Sequence, residues 1–454
     1  MTAARYLSLG LPVLAVLAAA RLERGRDARA AALLAFVACA VGVAALNEVA
    51  RLAGWFSFAP VPGSFRGLPV DLWLGWAALW GALPVLLRRA LPTPVALGLL
   101  LWLDALAMPE LHPLVHLGPH WLVGEVLGLL VVALPAQLLG RLSADRRHLR
   151  TRVLLQLAVF TATLLWLVPT VAFELGDSSW GALTGLPAPL LLVVAQVGLL
   201  VAAPALAAVR EFVLSGEGTP YPWDPPRRLV ATGPYAYLAN PMQFSAVALL
   251  LLVAAASRSA TLAAAGAAAV AFGAAVARPH EEHDLDGRYG QRWRDYRREV
   301  RDWRPRRRPY ATGAPAVLWL DVDCGPCAAV WQFLERRRPV NLTIAPASEH
   351  PRMLWRAEYT GDDGHTERGV AAVARALEHV DLGWAWLGWF LRVPGVTWAA
   401  QLVTDAMIAP PHSVDRRGEA CPTPSNGCST ERSRQSAFTA SPVSRPVPSP
   451  PPPE

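Results

Sequence analysis

Apolar residues in this chain fall in long uninterrupted blocks, near residues 5–20, 30–50, 70–87, 92–108, 121–140, 153–173, 186–208, 242–257 and 259–277. Each block is close to the roughly 20 residues that carry a helix across a bilayer. The pattern therefore predicts a mainly α, polytopic membrane protein of about nine spans. Beyond residue 280 the pattern changes. AVLWLDVDCGPCAAVWQFLERRRPVNLTIAPAS reads as strand, tight turn, amphipathic helix and strand, and ERGVAAVARALEHV as a second amphipathic helix. These predict a small α/β domain over residues 311–416. Within it, LGWAWLGWFLRVPGVTWAAQL is apolar enough to pass for a span, but Arg392 and Pro394 interrupt it. Trp384, Trp386, Trp389 and Trp398 suit an interfacial position, so we read a helix pair on the membrane surface. From Arg417 to Glu454, Pro and Ser dominate and apolar residues are few, which predicts a disordered tail.

Composition agrees with the pattern: 53% of residues are hydrophobic and only 17% charged, outside the range of a soluble globular protein. The basic residues are arginines, and they cluster in alternate loops. Arg21, Arg24, Arg26 and Arg29 mark one, Arg88 and Arg89 another, and Arg141, Arg146, Arg147, Arg150 and Arg152 a third. Under the positive-inside bias this predicts an outside N-terminus and a cytoplasmic C-terminal domain in a bacterial plasma membrane. The net charge of +7 sits at membrane exits, which suits the lipid bilayer and its anionic headgroups rather than nucleic acid.

Asn47, Glu48, Asp104, Glu125, Gln137, Gln156 and Gln196 interrupt the apolar blocks, where such groups are expected to hydrogen-bond between helices rather than line a substrate pathway. No metal ligand set is read. His280 and His283 in HEEHD are three residues apart, whereas a helical zinc pair needs four.

The densest chemistry lies between Gly216 and Tyr310. A proline-punctuated loop, GEGTPYPWDPPRRLVATGPYAYLANPMQF, leads into two apolar runs and then into RPHEEHDLDGRYGQRWRDYRREVRDWRPRRRPY. Polar groups are thereby presented beside lipid. In the loop, Gly233 offers backbone amides, Tyr235 and Tyr237 aromatic faces, and Asn240 an amide. Pro241 would start the next helix. Arg278, Glu281 and Glu282 fall at i, i+3 and i+4, on one helix face.

This ordered set, Gly233, Pro234, Tyr235, Tyr237, Asn240 and Pro241, then Glu281, Glu282, Tyr289, Gly290 and Tyr296, resembles the integral-membrane isoprenylcysteine carboxyl methyltransferases and their phospholipid-methyltransferase relatives. The resemblance implies S-adenosyl-L-methionine as cofactor, bound by the loop residues and the Glu pair. It also implies a lipophilic acceptor, prenylated or lipid, with Arg278 steering a carboxylate and His280 as the available base. The family's Arg-Asn-Pro or Arg-His-Pro reads Ala239-Asn240-Pro241 here: either Arg227 or Arg228 supplies the charge, or the acceptor differs, or activity has been lost.

Cys324 lies where a strand ends and a helix begins, a position where the helix dipole favours the thiolate, and Cys327 follows as a resolving thiol. With Asp321 and Asp323 before it, this segment resembles the DCC family of thiol-disulfide oxidoreductases, which implies a thioredoxin-like fold and a thiol or disulfide protein partner. Zinc would need Cys421 and Cys428 or histidines to complete the site, at long spacing.

The chain then divides into N-terminal membrane helices (1–185), a methyltransferase-like membrane core with its exit helix (186–310), a thioredoxin-like domain (311–416) and the tail (417–454). The expected function is methyl transfer to a lipophilic carboxylate or thiol, with a fused CxxC oxidoreductase. Two other readings stay open: an anchored oxidoreductase whose membrane part is an anchor or electron conduit, and a scaffold without catalysis.

Overall fold

The protein is represented by a computed structural model, which describes residues 2–407 apart from Pro222, Pro225 and the side chains of Val276, Ala277 and His280. The expected disordered tail, with Cys421 and Cys428, lies outside the described residues.

Seven helices come first: α1 (Thr2–Leu22), α2 (Arg26–Ala53), α3 (Val70–Leu86), α4 (Thr93–Glu110), α5 (Trp121–Ala144), α6 (Leu149–Leu175) and α7 (Ala188–Leu214). A hairpin follows, α8 (Pro241–Ser257) and α9 (Ala260–Phe272). Among the described residues, six helices are long and apolar enough to cross a bilayer: α1, α2, α4, α5, α6 and α7. The other three expected blocks are also helical, but α3, α8 and α9 are shorter. Leu11, Leu99, Val131 and Leu192 are exposed on the helix surfaces, as contact with lipid requires.

Small residues set the packing. On α2 the buried positions Ala28, Ala31, Ala32, Ala35, Ala38 and Cys39 recur at helical spacing and let neighbouring backbones approach. A Cβ at Gly81 of α3 would lie 2.5 Å from the Ala35 carbonyl oxygen, so only glycine fits there.

Proline shapes these helices in a repeated way. Four π-helical turns, Ala77–Ala82, Leu129–Ala133, Thr163–Leu167 and Gly273–Ala277, each end two residues before a proline: Pro84, Pro135, Pro169 and Pro279. Proline has no N–H for the carbonyl four residues back and its ring clashes with it; a wider turn relieves the clash. Two of the carbonyls released by prolines find side-chain donors. Pro84 cannot reach the Trp80 carbonyl, which accepts from Gln137 Nε2 at 3.0 Å; Pro204 cannot reach that of Leu200, which accepts the Trp386 indole N–H at 2.7 Å.

Several polar residues expected to bond between elements do so. Trp80 donates to Asp104 at 2.8 Å, Asn47 donates to the Arg66 carbonyl at 3.2 Å, and Glu48 pairs with Arg66 at 2.5 Å.

After the exit helices α10 (Arg278–Tyr289) and α11 (Gln291–Glu299), a four-stranded sheet forms from β1 (Ala316–Leu320), β2 (Leu342–Pro346), β3 (Glu358–Thr360) and β4 (Thr366–Arg368). Its order is β2-β1-β3-β4. β1 and β2 are parallel, with Leu318 opposite Ile344, so a crossover is needed, and α12 (Gly325–Arg337) supplies it. The other pairs are antiparallel. Leu318, Leu320, Leu334, Tyr359, Ala372 and Ala376 form the core between the sheet, α12 and α13 (Val370–Leu377). The expected helix pair is α14 (Leu382–Leu391) and α15 (Pro394–Met407). α14 lies against α7 with Trp389 buried, while α15 exposes Trp398, Leu402 and Val403.

Candidate functional site

A cavity of about 650 Å³ opens between α6, α7, α8, the loop before α8, and the exit helices α10 and α11. That volume lies within the range of small-molecule and cofactor sites. Its walls are two-sided in character. Leu157, Phe160, Leu164, Leu206 and Leu249, all on the long apolar helices or the hairpin, line one part; Asn240, Arg278, Glu281, Glu282, Arg297 and Asp302 line the other.

The loop is built to hold its shape. Gly233 has φ +60°, and a Cβ there would stand 2.7 Å from Glu211 Cγ, so both conformation and space require glycine. A 3₁₀ turn follows over Gly233–Ala236, and Pro241 takes the first position of α8, as its missing N–H allows. Backbone bonds tie the loop to the segment after α11: Ala239 N–H to the Arg301 carbonyl at 3.0 Å, Arg306 N–H to that of Tyr237 at 2.9 Å, and Tyr310 N–H to that of Ala236 at 2.8 Å. The buried Tyr296 hydroxyl donates to the Tyr235 carbonyl at 2.8 Å.

Of the residues singled out in the sequence, Tyr235, Asn240, Arg278, Glu281 and Glu282 converge on this cavity. The Asn240 amide donates to Glu281 at 3.3 Å and to Asp302 at 3.4 Å. Arg278 donates to Glu282 at 2.8 Å, and this hydrogen bond holds the Glu282 carboxyl below its ordinary range. The Tyr235 hydroxyl is buried without a hydrogen-bond partner, and burial keeps it protonated far above its usual range. Ser245, one turn into α8, is a second such hydroxyl lining the cavity.

Gly233, Pro234, Tyr237 and Pro241 stand behind the wall as supports. Tyr237 is fully buried; its hydroxyl donates to the Glu378 carbonyl at 2.8 Å and its ring meets Trp389 edge-on at 5.7 Å. His280 lies outside the residues whose side chains are described. Tyr289 lines the cavity and donates to the Pro226 carbonyl at 2.6 Å.

Neither Arg227 nor Arg228 lines the cavity beside Ala239. Arg227 is turned to Glu217 at 3.0 Å, and Arg228 lines a separate pocket. Arg297 of α11 does line it, gripping Asp302 through two nitrogens at 3.1 and 2.8 Å and reaching Glu282 at 3.3 Å. A sequence signal for it exists: Arg297 follows Trp293 by one helical turn and lies over its ring at 5.6 Å.

A second ionic cluster was not legible at all. Glu211, at the end of α7, takes Arg375 at 2.7 Å and Arg392 at 3.3 Å; Glu378 takes the same two arginines at 2.7 and 2.6 Å; and Glu367 takes Arg210 at 2.6 Å and Arg392 at 3.3 Å. Three carboxylates and three guanidiniums balance. Burial alone would raise the Glu367 carboxyl, but the His365 hydrogen bond and the guanidiniums of Arg210 and Arg392 hold it down at about 2.

Cys324 caps the N-terminus of α12 and Cys327 lies in its first turn; both are free thiols, half-buried. Burial, reinforced by the neighbouring Cys324 thiol, pushes the Cys327 thiol up to about 12. The buried Asp321 accepts the Asp323 N–H at 3.0 Å, fixing the turn before the pair. Among the described residues no group of three His, Cys, Asp or Glu side chains is placed to hold a metal ion.

No family model, curated protein or solved structure matches the chain.

Proposed function

We propose that the chain is a membrane-embedded, S-adenosyl-L-methionine-dependent methyltransferase acting on a lipophilic acceptor, with a CxxC thiol-disulfide oxidoreductase domain fused to it. The observation that carries the first part is the cavity: charged groups from three sequence segments meet an apolar wall on the long helices within one enclosure. An amphipathic acceptor fits such a wall, its apolar chain along α6, α7 and α8 and its reactive group toward Asn240.

The residues present suit the donor. Two guanidiniums, Arg278 and Arg297, and four carboxylates, Glu281, Glu282, Asp284 and Asp302, line the enclosure, an acidic surrounding that suits a cationic ligand. Asn240 and the Glu pair would hold the ribose and amino acid portions, and the unpartnered Tyr235 hydroxyl offers a free donor. When bound, the donor supplies a sulfonium-activated methyl group. The protein's part is to orient donor and acceptor and to keep water out. A carboxylate or thiolate acceptor requires no strong base.

For the second part, the support is the thiol pair at the start of α12 and the sheet order β2-β1-β3-β4 around it, the arrangement expected of a thioredoxin-like domain. In the reaction, the Cys324 thiolate attacks one sulfur of a partner disulfide and releases the other as thiolate. Cys327 then displaces the remaining partner sulfur, so the partner leaves as a dithiol and the 324–327 pair is oxidised.

The Arg distribution supports a cytoplasmic C-terminal domain. Calorimetry of the detergent-solubilised protein with S-adenosyl-L-methionine tests the reading directly: binding with Kd in the micromolar range is expected, and its absence from wild type overturns the methyltransferase assignment.

A further inference from the structure

The Glu211 carboxylate is a three-way junction. Oε1 accepts from Arg375 Nη1 at 2.7 Å and from Arg392 at 3.3 Å; Oε2 accepts from Arg375 Nη2 at 3.0 Å and from the Thr232 hydroxyl at 2.8 Å. One carboxylate therefore joins the end of α7, the corner of the cavity loop, and two helices of the C-terminal domain, with Arg375 lying 164 residues further along the chain. The corner next to it, Gly233, packs so closely on Glu211 that no Cβ fits. Two residues later Tyr235 enters the cavity wall. A second tie runs in parallel, from the Tyr237 hydroxyl to the Glu378 carbonyl at 2.8 Å.

We propose that Arg375 and Arg392 of the C-terminal domain are positioning residues of the membrane cavity: through Glu211 they fix the Thr232–Gly233 corner and with it the placement of Tyr235 and Asn240. The C-terminal domain is thus part of the cavity's framework rather than an appended module. A single buried carboxylate cannot remain charged at the end of an apolar helix without its guanidiniums. Without Arg375, Glu211 keeps only the longer Arg392 contact at 3.3 Å, so its carboxylate shifts toward Arg392 or toward water. Either change removes the acceptor that Thr232 uses and opens the corner. The electrostatic balance makes the geometry of one part depend on the presence of the other.

The inference rests on the reading of the cavity as a ligand site, and the experiment separates the two. In the full-length protein, Ala239→Cys places a thiol in the cavity wall, and its alkylation by an impermeant maleimide is followed by peptide mass spectrometry. Into this background go Arg375→Met, Glu211→Gln, Arg375→Lys and the double variant Glu211→Gln/Arg375→Met. The double variant removes both charges and keeps the fold testable where a single variant fails to accumulate.

Arg375→Met should raise the alkylation rate at residue 239 about tenfold and weaken S-adenosyl-L-methionine binding about tenfold. Arg375→Lys should recover only part of each effect, because lysine cannot bridge both carboxylate oxygens. The double variant should stay folded yet remain more reactive at 239 than the parent. Rates and affinities within twofold of the parent in folded variants would overturn the proposal. If the parent binds no S-adenosyl-L-methionine, the donor reading fails, while the alkylation rates still decide whether Arg375 positions the loop.

Discussion

Arg297 holds Asp302 through both terminal nitrogens, at 3.1 and 2.8 Å, from a position where the guanidinium also lies over the Trp293 ring. Both side chains are largely buried, at 12% and 10% exposure. Replacing Arg297 by Met leaves Asp302 with only the Asn240 amide at 3.4 Å and Arg278 at 3.6 Å. A loss of about 2–4 kcal/mol in stability is expected, the cost of a largely buried carboxylate left with weaker partners. Arg297→Lys should recover less than half of it, since an ammonium cannot make the paired contact. Thermal unfolding in detergent measures both.

Asn240→Ala and Glu282→Gln should each weaken S-adenosyl-L-methionine binding about tenfold, the loss of one buried hydrogen bond or charge contact. Gln332→Ala, exposed on α12 and outside the cavity lining, serves as the control and should change binding less than threefold. Calorimetric titration distinguishes them.

His379 gives the C-terminal domain a pH dependence. Burial, aided by Arg375, lowers its imidazole to about 4, below the ordinary 6.5. The unfolded chain therefore takes up a proton between these values while the folded one does not. Stability is full above about pH 6.5 and falls as pH drops toward 4, by up to about 3 kcal/mol. His379→Gln should flatten that part of the stability profile, followed by denaturant unfolding at pH 7.5, 6 and 5.

The thiols should differ in reactivity. With its thiol pushed up to about 12, Cys327 is held as the thiol near neutral pH. Cys324 at the helix N-terminus should then alkylate much faster near neutral pH. Cys324→Ser should abolish reduction of insulin disulfides by the full-length protein, whereas Cys327→Ser should accumulate mixed disulfides on Cys324. Equal alkylation rates for the two thiols count against the redox assignment.

Much of this architecture was legible in the residues. The apolar blocks marked every long helix, Pro241 and Ser259 marked helix starts, and the Arg278–Glu282 spacing placed the pair on one face. What could not be read came from contacts between distant segments. Ala239 drew attention to Arg227 and Arg228 because they are near in sequence, but the fold brings Arg297 across from another helix. Glu211 carried no signal in the sequence, and Arg392 read only as an interruption of an apolar run. Only the packing of α14 on α7 makes them partners, a packing joined by the Trp386 hydrogen bond to the carbonyl released by Pro204. The β3–β4 hairpin was missed because its strands are three residues each, too short for alternation to show.

The π turn at Gly273–Ala277 stands between the membrane hairpin and the helix that carries Arg278, Glu281 and Glu282. Such a turn holds one residue more than an α-helix of the same rise, so everything after it is rotated by about 100° around the axis relative to a regular helix. The compass bearing of the acidic pair is therefore written in Pro279, a residue that faces no ligand. Pro279→Ala would let the turn tighten and swing Glu281 and Glu282 out of the wall, emptying the charged end of the cavity without altering a single group that lines it.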